Sequence, residues 1–190
     1  MKRIINVETS ARHVHLSEKD LVILFGEGHK LTFKRELSQP NQYLSEERVK
    51  IIGAKSEMDR VAILGPTRPA TQVELSITDV RALGVEAPIR ESGDVSGSGS
   101  IKIIGPRGEI VITEGVIIAK RHIHITPEDA ALFGVQNKQI VKVKILGERA
   151  LIFDETVVRV SSAFKTAMHI DIDETNAAGI SGNVDGEIVE

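Results

Sequence analysis

Five of the chain's six histidines fall in repeated blocks. Arg12-His13-Val14-His15-Leu16-Ser17 returns as Arg121-His122-Ile123-His124-Ile125-Thr126. In an extended strand, side chains two positions apart point to the same face, so His13 pairs with His15 and His122 with His124. Two imidazoles on one strand face can reach a common metal ion. A third protein ligand would then leave one position open for water or substrate, as in catalytic zinc sites. The competing reading is a polar strand face without metal. A second block bears on this choice. Thr71 through Asp79 aligns with Thr166 through Glu174, placing Glu74 opposite His169, and both copies close on glycine, Gly84 and Gly179. Glutamate and histidine both ligate zinc. Two metal sets follow: His13, His15 and Glu74, and His122, His124 and His169.

The elements that carry these residues read mostly as strands. Short alternating or β-branched runs span Ile4 to Val7, Val49 to Ile52, Arg60 to Leu64, Val73 to Ile77, Ile101 to Ile104, Glu109 to Ile112, Val116 to Ala119, Ile140 to Ile145, Val157 to Val160 and Met168 to Ile172. Gly65-Pro66, Gly105-Pro106 and the Gly-rich run Ser96 to Ser100 punctuate them. Short helical signals follow Ser17 and Thr126 and run from Thr78 to Leu83; Thr126 is an N-cap with Pro127 at the first helical position and acids behind it. Both copies of the first block run on to Phe-Gly, at Phe25-Gly26 and Phe133-Gly134. A period this long, met twice, marks two homologous units of roughly 80–90 residues rather than a solenoid. The expected fold is mostly β: two small β-barrel domains with short capping helices, related by internal duplication.

Composition narrows the function. The net charge is −3, which gives no cationic field for a phosphate polymer, and aromatics are only 3%, which removes the stacking platforms of single-strand binders. No cysteine is present, so a thiolate nucleophile, a disulfide framework and a cysteine zinc finger are all excluded. No apolar run approaches the roughly 20 residues of a membrane span. The chain opens without a signal peptide, and the expected location is cytoplasmic.

Ser10 through Ser17, Gly65 through Ser76 with its Thr67-Arg68-Pro69 turn, Arg90-Glu91-Ser92-Gly93-Asp94, Arg121 through His124 and Met168 through Gly179 together resemble the PduL-type phosphotransacylases. These are phosphate acyltransferases of propanediol degradation and bacterial microcompartments, and the likeness covers nearly the whole chain. It implies two β-barrels and a dinuclear zinc site. It also implies reversible conversion of a short-chain acyl-CoA, propanoyl- or acetyl-CoA, plus phosphate into acyl phosphate plus coenzyme A. It assigns the same two zinc sets. It places residues 1–11 with 120–190 in one barrel. The other takes 12–119, with a small two-strand insertion near 26–46. A homodimer is implied by the resemblance alone. Family members housed in a microcompartment carry an N-terminal extension; only a strand-like stretch precedes His13 here, which favours a free cytosolic enzyme and leaves the compartment lumen open.

Roles follow from the reaction. Arginine grips phosphate with two parallel hydrogen bonds, and the likeness makes Arg68 that clamp, with Arg159 as the matching candidate in the second half. Ser92 and Ser10 are candidates to hydrogen-bond phosphate or a zinc-bound water. Gln39, Gln42 and Gln72 fit polar cofactor-binding positions of the family. Without a thiol, direct attack by phosphate is expected, although a serine nucleophile stays open. His29 reads as a solvated turn residue, and Ser96 to Ser100 as a flexible linker or loop. Asp171, Asp173 and Glu174 read either as a calcium cluster or as a solvated strand end, with the two aspartates on the strand face of His169 as partners for it. Two other functions compete: a metal-dependent ester or thioester hydrolase, which needs no phosphate clamp, and a non-catalytic barrel, which would close one site with four ligands.

Overall fold

The computed structural model describes residues 2–189. Two compact units are present: Arg12 to Ala119, and the residues up to Ala11 joined by those from Lys120 onward. The first strand, β1 (Ile4–Thr9), belongs to the second unit. The central unit then runs β2 (His13–His15), α1 (Glu18–Phe25), β3 (Phe33–Glu36), β4 (Tyr43–Ile52), β5 (Glu57–Gly65), β6 (Gln72–Glu74), α2 (Ile77–Leu83), β7 (Ile89–Arg90), β8 (Gly99–Ile104) and β9 (Glu109–Ala119). Its hydrogen-bonded neighbours close a six-strand ring in the order β4-β5-β2-β6-β9-β8 and back to β4. β3 pairs with the start of β4, and β7 with the end of β9, both outside the ring. The remaining elements are β10 (His122–Ile125), α3 (Pro127–Phe133), β11 (Ile140–Ile145), β12 (Leu151–Val160), β13 (Ala167–Ile170), α4 (Ile172–Ala178) and β14 (Val184–Val189). They close with β1 into a second ring, β1-β13-β10-β12-β11-β14.

The two rings have one topology. β1, β13, β10, β12, β11 and β14 take the places of β9, β6, β2, β5, β4 and β8, and every neighbouring pair keeps its polarity, parallel or antiparallel. The first strand of the chain therefore fills the place that the last strand of the central unit fills in its own ring. The shared topology is consistent with the duplication read from the sequence.

Each ring encloses its own apolar core. β11 shows the pattern most cleanly: Val141, Val143 and Ile145 point inward while Ile140, Lys142 and Lys144 face water, the period-two alternation of a half-buried strand. The central core is built on Val14, Leu16, Leu24, Ile51, Ile63 and Ile103, each at most 2% exposed. The other rests on Ile123, Ile125, Val143, Val158 and Met168. Each such side chain contributes roughly 1.5–3 kcal/mol on burial. The cores are therefore almost wholly aliphatic, with Phe153 buried in the second, in keeping with the low aromatic content.

The four helices among the described residues are short and begin on polar caps. Ser17 Oγ accepts from the Asp20 amide, Ser76 Oγ from Asp79, Thr126 Oγ1 from Asp129 and Asp171 Oδ1 from Glu174. Three of them end on a left-handed glycine, Gly84, Gly134 and Gly179, where a side chain would be strained.

Several sequence expectations need correction. The runs Glu109 to Ile112 and Val116 to Ala119 are one strand, β9, bent through Gly115 at φ 136°. The run Val73 to Ile77 stops at Glu74 because Ser76 caps α2. Met168 to Ile172 likewise stops at Ile170, because Asp171 and Glu174 form a capping box that starts α4. Asp171 and Asp173 therefore do not share the strand face of His169. The two-strand element near 26–46 is β3 paired with the first residues of β4, Phe33 with Ser45 and Glu36 with Tyr43, and β4 then runs on into the ring. Ser96 to Ser98 is a tied loop rather than a flexible linker, and Gly99 and Ser100 open β8: Ser98 Oγ accepts from the Gly115 amide at 2.8 Å, and a Cβ on Gly99 would sit 1.6 Å from the Glu86 carbonyl oxygen. His29 is not simply solvated. Its ring stacks on Phe25, and its Nε2 lies 3.0 Å from Glu47.

Candidate metal centre

The strand pairing places the proposed ligands in register. On β2 and β6, His13 is paired with Glu74 and His15 with Gln72. On β10 and β13, His122 is paired with His169 and His124 with Ala167. Glu74 and His169 thus occupy the same place in the two rings, across from the first histidine of each pair.

In the central barrel the donor atoms converge. His13 Nε2 lies 3.2 Å from His15 Nε2 and 3.5 Å from Glu74 Oε2. All three ligand atoms lie within 4.8 Å of one another. Donors on a tetrahedral zinc at about 2.0–2.1 Å stand about 3.3 Å apart, so this set fits such an ion. Its protonation suits a cation too. Burial holds the His15 ring well below the ordinary imidazole range, aided by the charges of His13 and Arg68. Burial alone would raise the Glu74 carboxyl. The adjoining His13 ring outweighs this by charge and hydrogen bond, with His15 and the Ser92 hydroxyl adding to it, and Glu74 stays well below the usual carboxylate range. A neutral His15 and an anionic Glu74 are each in the form that can ligate a metal.

A polar network radiates from the other oxygen of that carboxylate. Ser92 Oγ donates to Glu74 Oε1 at 2.7 Å, and Gln72 Nε2 donates to the same oxygen at 2.6 Å. Gln72 Nε2 also lies 3.0 Å from Ser92 Oγ, and Gln72 Oε1 accepts from the Gly93 amide at 2.8 Å, fixing the loop that carries the serine. Arg68 Nη1 donates to Ser92 Oγ at 3.1 Å. Arg68, Ser92, Gln72 and Glu74 are therefore one connected group. Gln39, which is buried, and Gln42 sit in the turn between β3 and β4, where the Gln42 amide donates to the Gln39 carbonyl at 3.2 Å.

In the other barrel three imidazoles cluster. The ring centroids are 4.6 Å apart for His122 and His124, 5.0 Å for His124 and His169, and 5.4 Å for His122 and His169. His122 Nδ1 donates to the Lys120 carbonyl at 2.8 Å, which leaves Nε2 with the lone pair a metal needs. Arg159 is the register partner of His124, and its guanidinium lies 5.9 Å from the Phe164 ring, which packs on His124. It is not the positional counterpart of Arg68. The Arg68 amide donates to the Leu16 carbonyl and the Ser161 amide to Ile125, so Ser161 stands in that place. Ser10 belongs to this barrel, its amide bonded to the Ile170 carbonyl just beyond His169.

Two braces recur in both rings, and neither was singled out from the sequence. Arg12 bridges to Asp79 at 2.6 Å, and Arg121 bridges to Glu174 at 2.6 Å. Each pair ties the start of the His-x-His strand to the helix after the third ligand. At the other end, Thr71 accepts from the Ser17 amide and donates to Asp20, while Thr166 accepts from the Thr126 amide and donates to Asp129. Ligand strands only three or four residues long gain their fixed register from these pins. The signal lay in the same aligned blocks that nominated the ligands, since all ten residues fall there.

Comparison with known proteins identifies the family. Residues 6–181 match the family model described as phosphate propanoyltransferase. A phosphate propanoyltransferase of Clostridioides difficile (strain 630) is 52% identical over 98% of this chain and 89% of its own length. One from Listeria monocytogenes is 50% identical over 98% of this chain and 87% of its own length. One from Thermotoga maritima is 53% identical over 90% of this chain and 82% of its own length. The chain belongs to the phosphate propanoyltransferase family.

Proposed function

We propose that the chain transfers a short acyl group, propanoyl or acetyl, between coenzyme A and inorganic phosphate, with one zinc ion held by each triad. The observation that carries this reading is the connected group in the central barrel. A buried His-His-Glu donor set is joined through one serine to an arginine. Family membership supports the reaction.

His13, His15 and Glu74 would hold one ion, and His122, His124 and His169 the other. A bound zinc ion supplies Lewis acidity toward a phosphate or carbonyl oxygen. The chain's own residues do the rest. Arg68 binds the phosphate dianion and aims one oxygen at the thioester carbon, and the planar fork fixes its orientation. That oxygen forms the new carbon–oxygen bond, the carbon–sulfur bond breaks, and coenzyme A leaves as the thiolate. Gln72 and Ser92 hold the Glu74 carboxylate in place and keep Arg68 beside it. Ser92 is a poor nucleophile in this setting. Its hydroxyl already donates to Glu74, and a carboxyl held this acidic is too weak a base to activate it. Direct attack by phosphate fits these contacts and the absence of cysteine.

The test is release of coenzyme A from propanoyl-CoA with and without phosphate. The expected result is release only with phosphate, in step with acyl phosphate formation. Equal release without phosphate would make the protein a thioester hydrolase.

A further inference from the structure

The two triads differ in charge, and a residue on the first strand compensates. The central set contains a carboxylate, Glu74. The other contains three imidazoles. In parallel register with His169 on β1 stands Glu8. Its Oε2 lies 3.9 Å from His169 Nδ1, and both side chains are mostly buried. Asn6 Nδ2 donates to Glu8 Oε1 at 2.7 Å, which anchors one carboxylate oxygen and leaves the other toward the ring. The gap is about 1 Å beyond a charge-assisted hydrogen bond, and rotatable bonds on both sides can close it. In the central barrel the equivalent place beside Glu74 is taken by Ile117, fully buried and apolar.

We propose that Glu8 is the positioning carboxylate of the second metal site. This inference rests on the two-metal reading above. An imidazole bound to metal through Nε2 carries its proton on Nδ1, which seeks an acceptor; a carboxylate there fixes the tautomer and ring orientation and raises the basicity of the ligand. His122 already meets this need through the Lys120 carbonyl. Glu8 does the same for His169. Each barrel then sets one carboxylate at its triad, as a ligand in one and behind a ligand in the other. Glu8 touches no substrate; it acts through His169.

The test is zinc competition against a chromogenic chelator on the full chain, resolving two dissociation constants. Glu8→Gln keeps the volume and removes the charge. It should weaken one site at least tenfold, in line with the effect of such partners on metal affinity, and leave the other within twofold. On a His169→Ala background the same change should cost nothing further. With cobalt(II) in place of zinc, the visible bands of one site should shift in Glu8→Gln. Asn6→Ala, which loosens the anchor and leaves the carboxylate, should weaken the same site about threefold, and it decides the matter if Glu8→Gln fails to fold. Two tight sites in the wild type with unchanged constants in both variants would overturn the role of Glu8 alone. Wild-type protein without a second zinc site would overturn the two-metal reading and this role together.

Discussion

The central barrel and the barrel closed by the two chain ends share strand order, polarity, helix caps and both braces, yet their sites are built differently. The central triad is anionic and surrounded by donors: Glu74 receives Ser92 and Gln72, and Arg68 stands behind them. The second triad is three imidazoles, with Arg159 on the neighbouring strand near Phe164 and Ser161 in the place of Arg68. One frame thus serves two tasks. The frame residues repeat because holding two short ligand strands in register is the same problem in both rings. The residues around the third ligand diverge, so the phosphate-binding role proposed for Arg68 would fall to one ring only. The largest test of this division removes a ligand. His13→Ala or His122→Ala should each lower zinc content from two ions to one and cut acyl transfer at least about a hundredfold, since a metal contributes several kcal/mol to such a transition state. Metal analysis beside the rate checks this, and loss of both ions from either variant would show that the rings do not load separately.

Arg68→Ala sharpens the difference between the rings. It removes no ligand, so both zinc ions should stay. The rate at saturating acyl-CoA and limiting phosphate should fall at least about tenfold, from the roughly 1.5–3 kcal/mol of a charged hydrogen bond to phosphate. Lysine should rescue only part of this. Arg159→Ala should leave the phosphate dependence nearly unchanged; the reverse pattern would move the clamp to the second barrel.

The acidic carboxyl of the central triad gives a pH signature. Burial holds His15 neutral, so below its ordinary pKa of 6.5 the unfolded chain binds a proton that the native ring refuses. The stability of metal-free protein should therefore be full above that value and fall as pH drops below it. Glu74 is pushed upward by burial but held below 4.5 by His13, His15 and Ser92. Its contribution is present above pH 4.5 and is lost as pH falls further toward the native value. Urea midpoints across pH 8 to about 3 should show both losses, and Glu74→Gln should reduce the lower one, to which the lowered Glu47 carboxyl also contributes. A wild-type profile flat below pH 6.5 would contradict the neutral His15.

The smallest effect tests the shared frame. Arg60 and Glu155 are both left-handed, at φ 56° and 52°, and each sits two residues before the strand partner of the first triad histidine. Glycine relieves a strain of roughly 1–2 kcal/mol there and costs part of that in entropy. Arg60→Gly and Glu155→Gly should each stabilise by about 0.5–1 kcal/mol in urea titrations, and by similar amounts if the kinks are equivalent.

Much of this was legible in the residues. The His-x-His pairs and their aligned third partners pointed to the side chains that the strand register brings together, because period-two spacing survives in any strand. The strands with strict alternation, such as Ile140 to Ile145, were plain for the same reason. The C-terminal strand Val184–Val189 and helix α4 were missed. Gly186 breaks the alternation of the strand, and the Asp171–Glu174 capping box was read as an acidic cluster rather than a helix start. The closing of β1 onto β13 and β14 has no local signal at all, since it pairs residues from opposite ends of the chain. Glu8 went unnoticed on that account: beside His169 it is a partner, but in the sequence it is a polar residue in an alternating strand.

The central claim is that two zinc ions, one per triad, support phosphate-dependent acyl transfer. Its most direct test is stepwise addition of zinc to metal-stripped protein, with the phosphate-dependent release of coenzyme A from propanoyl-CoA followed at each step. Activity should be absent without metal and rise to a plateau at two zinc ions per chain. Full phosphate-dependent activity in protein shown to hold no metal would contradict the account.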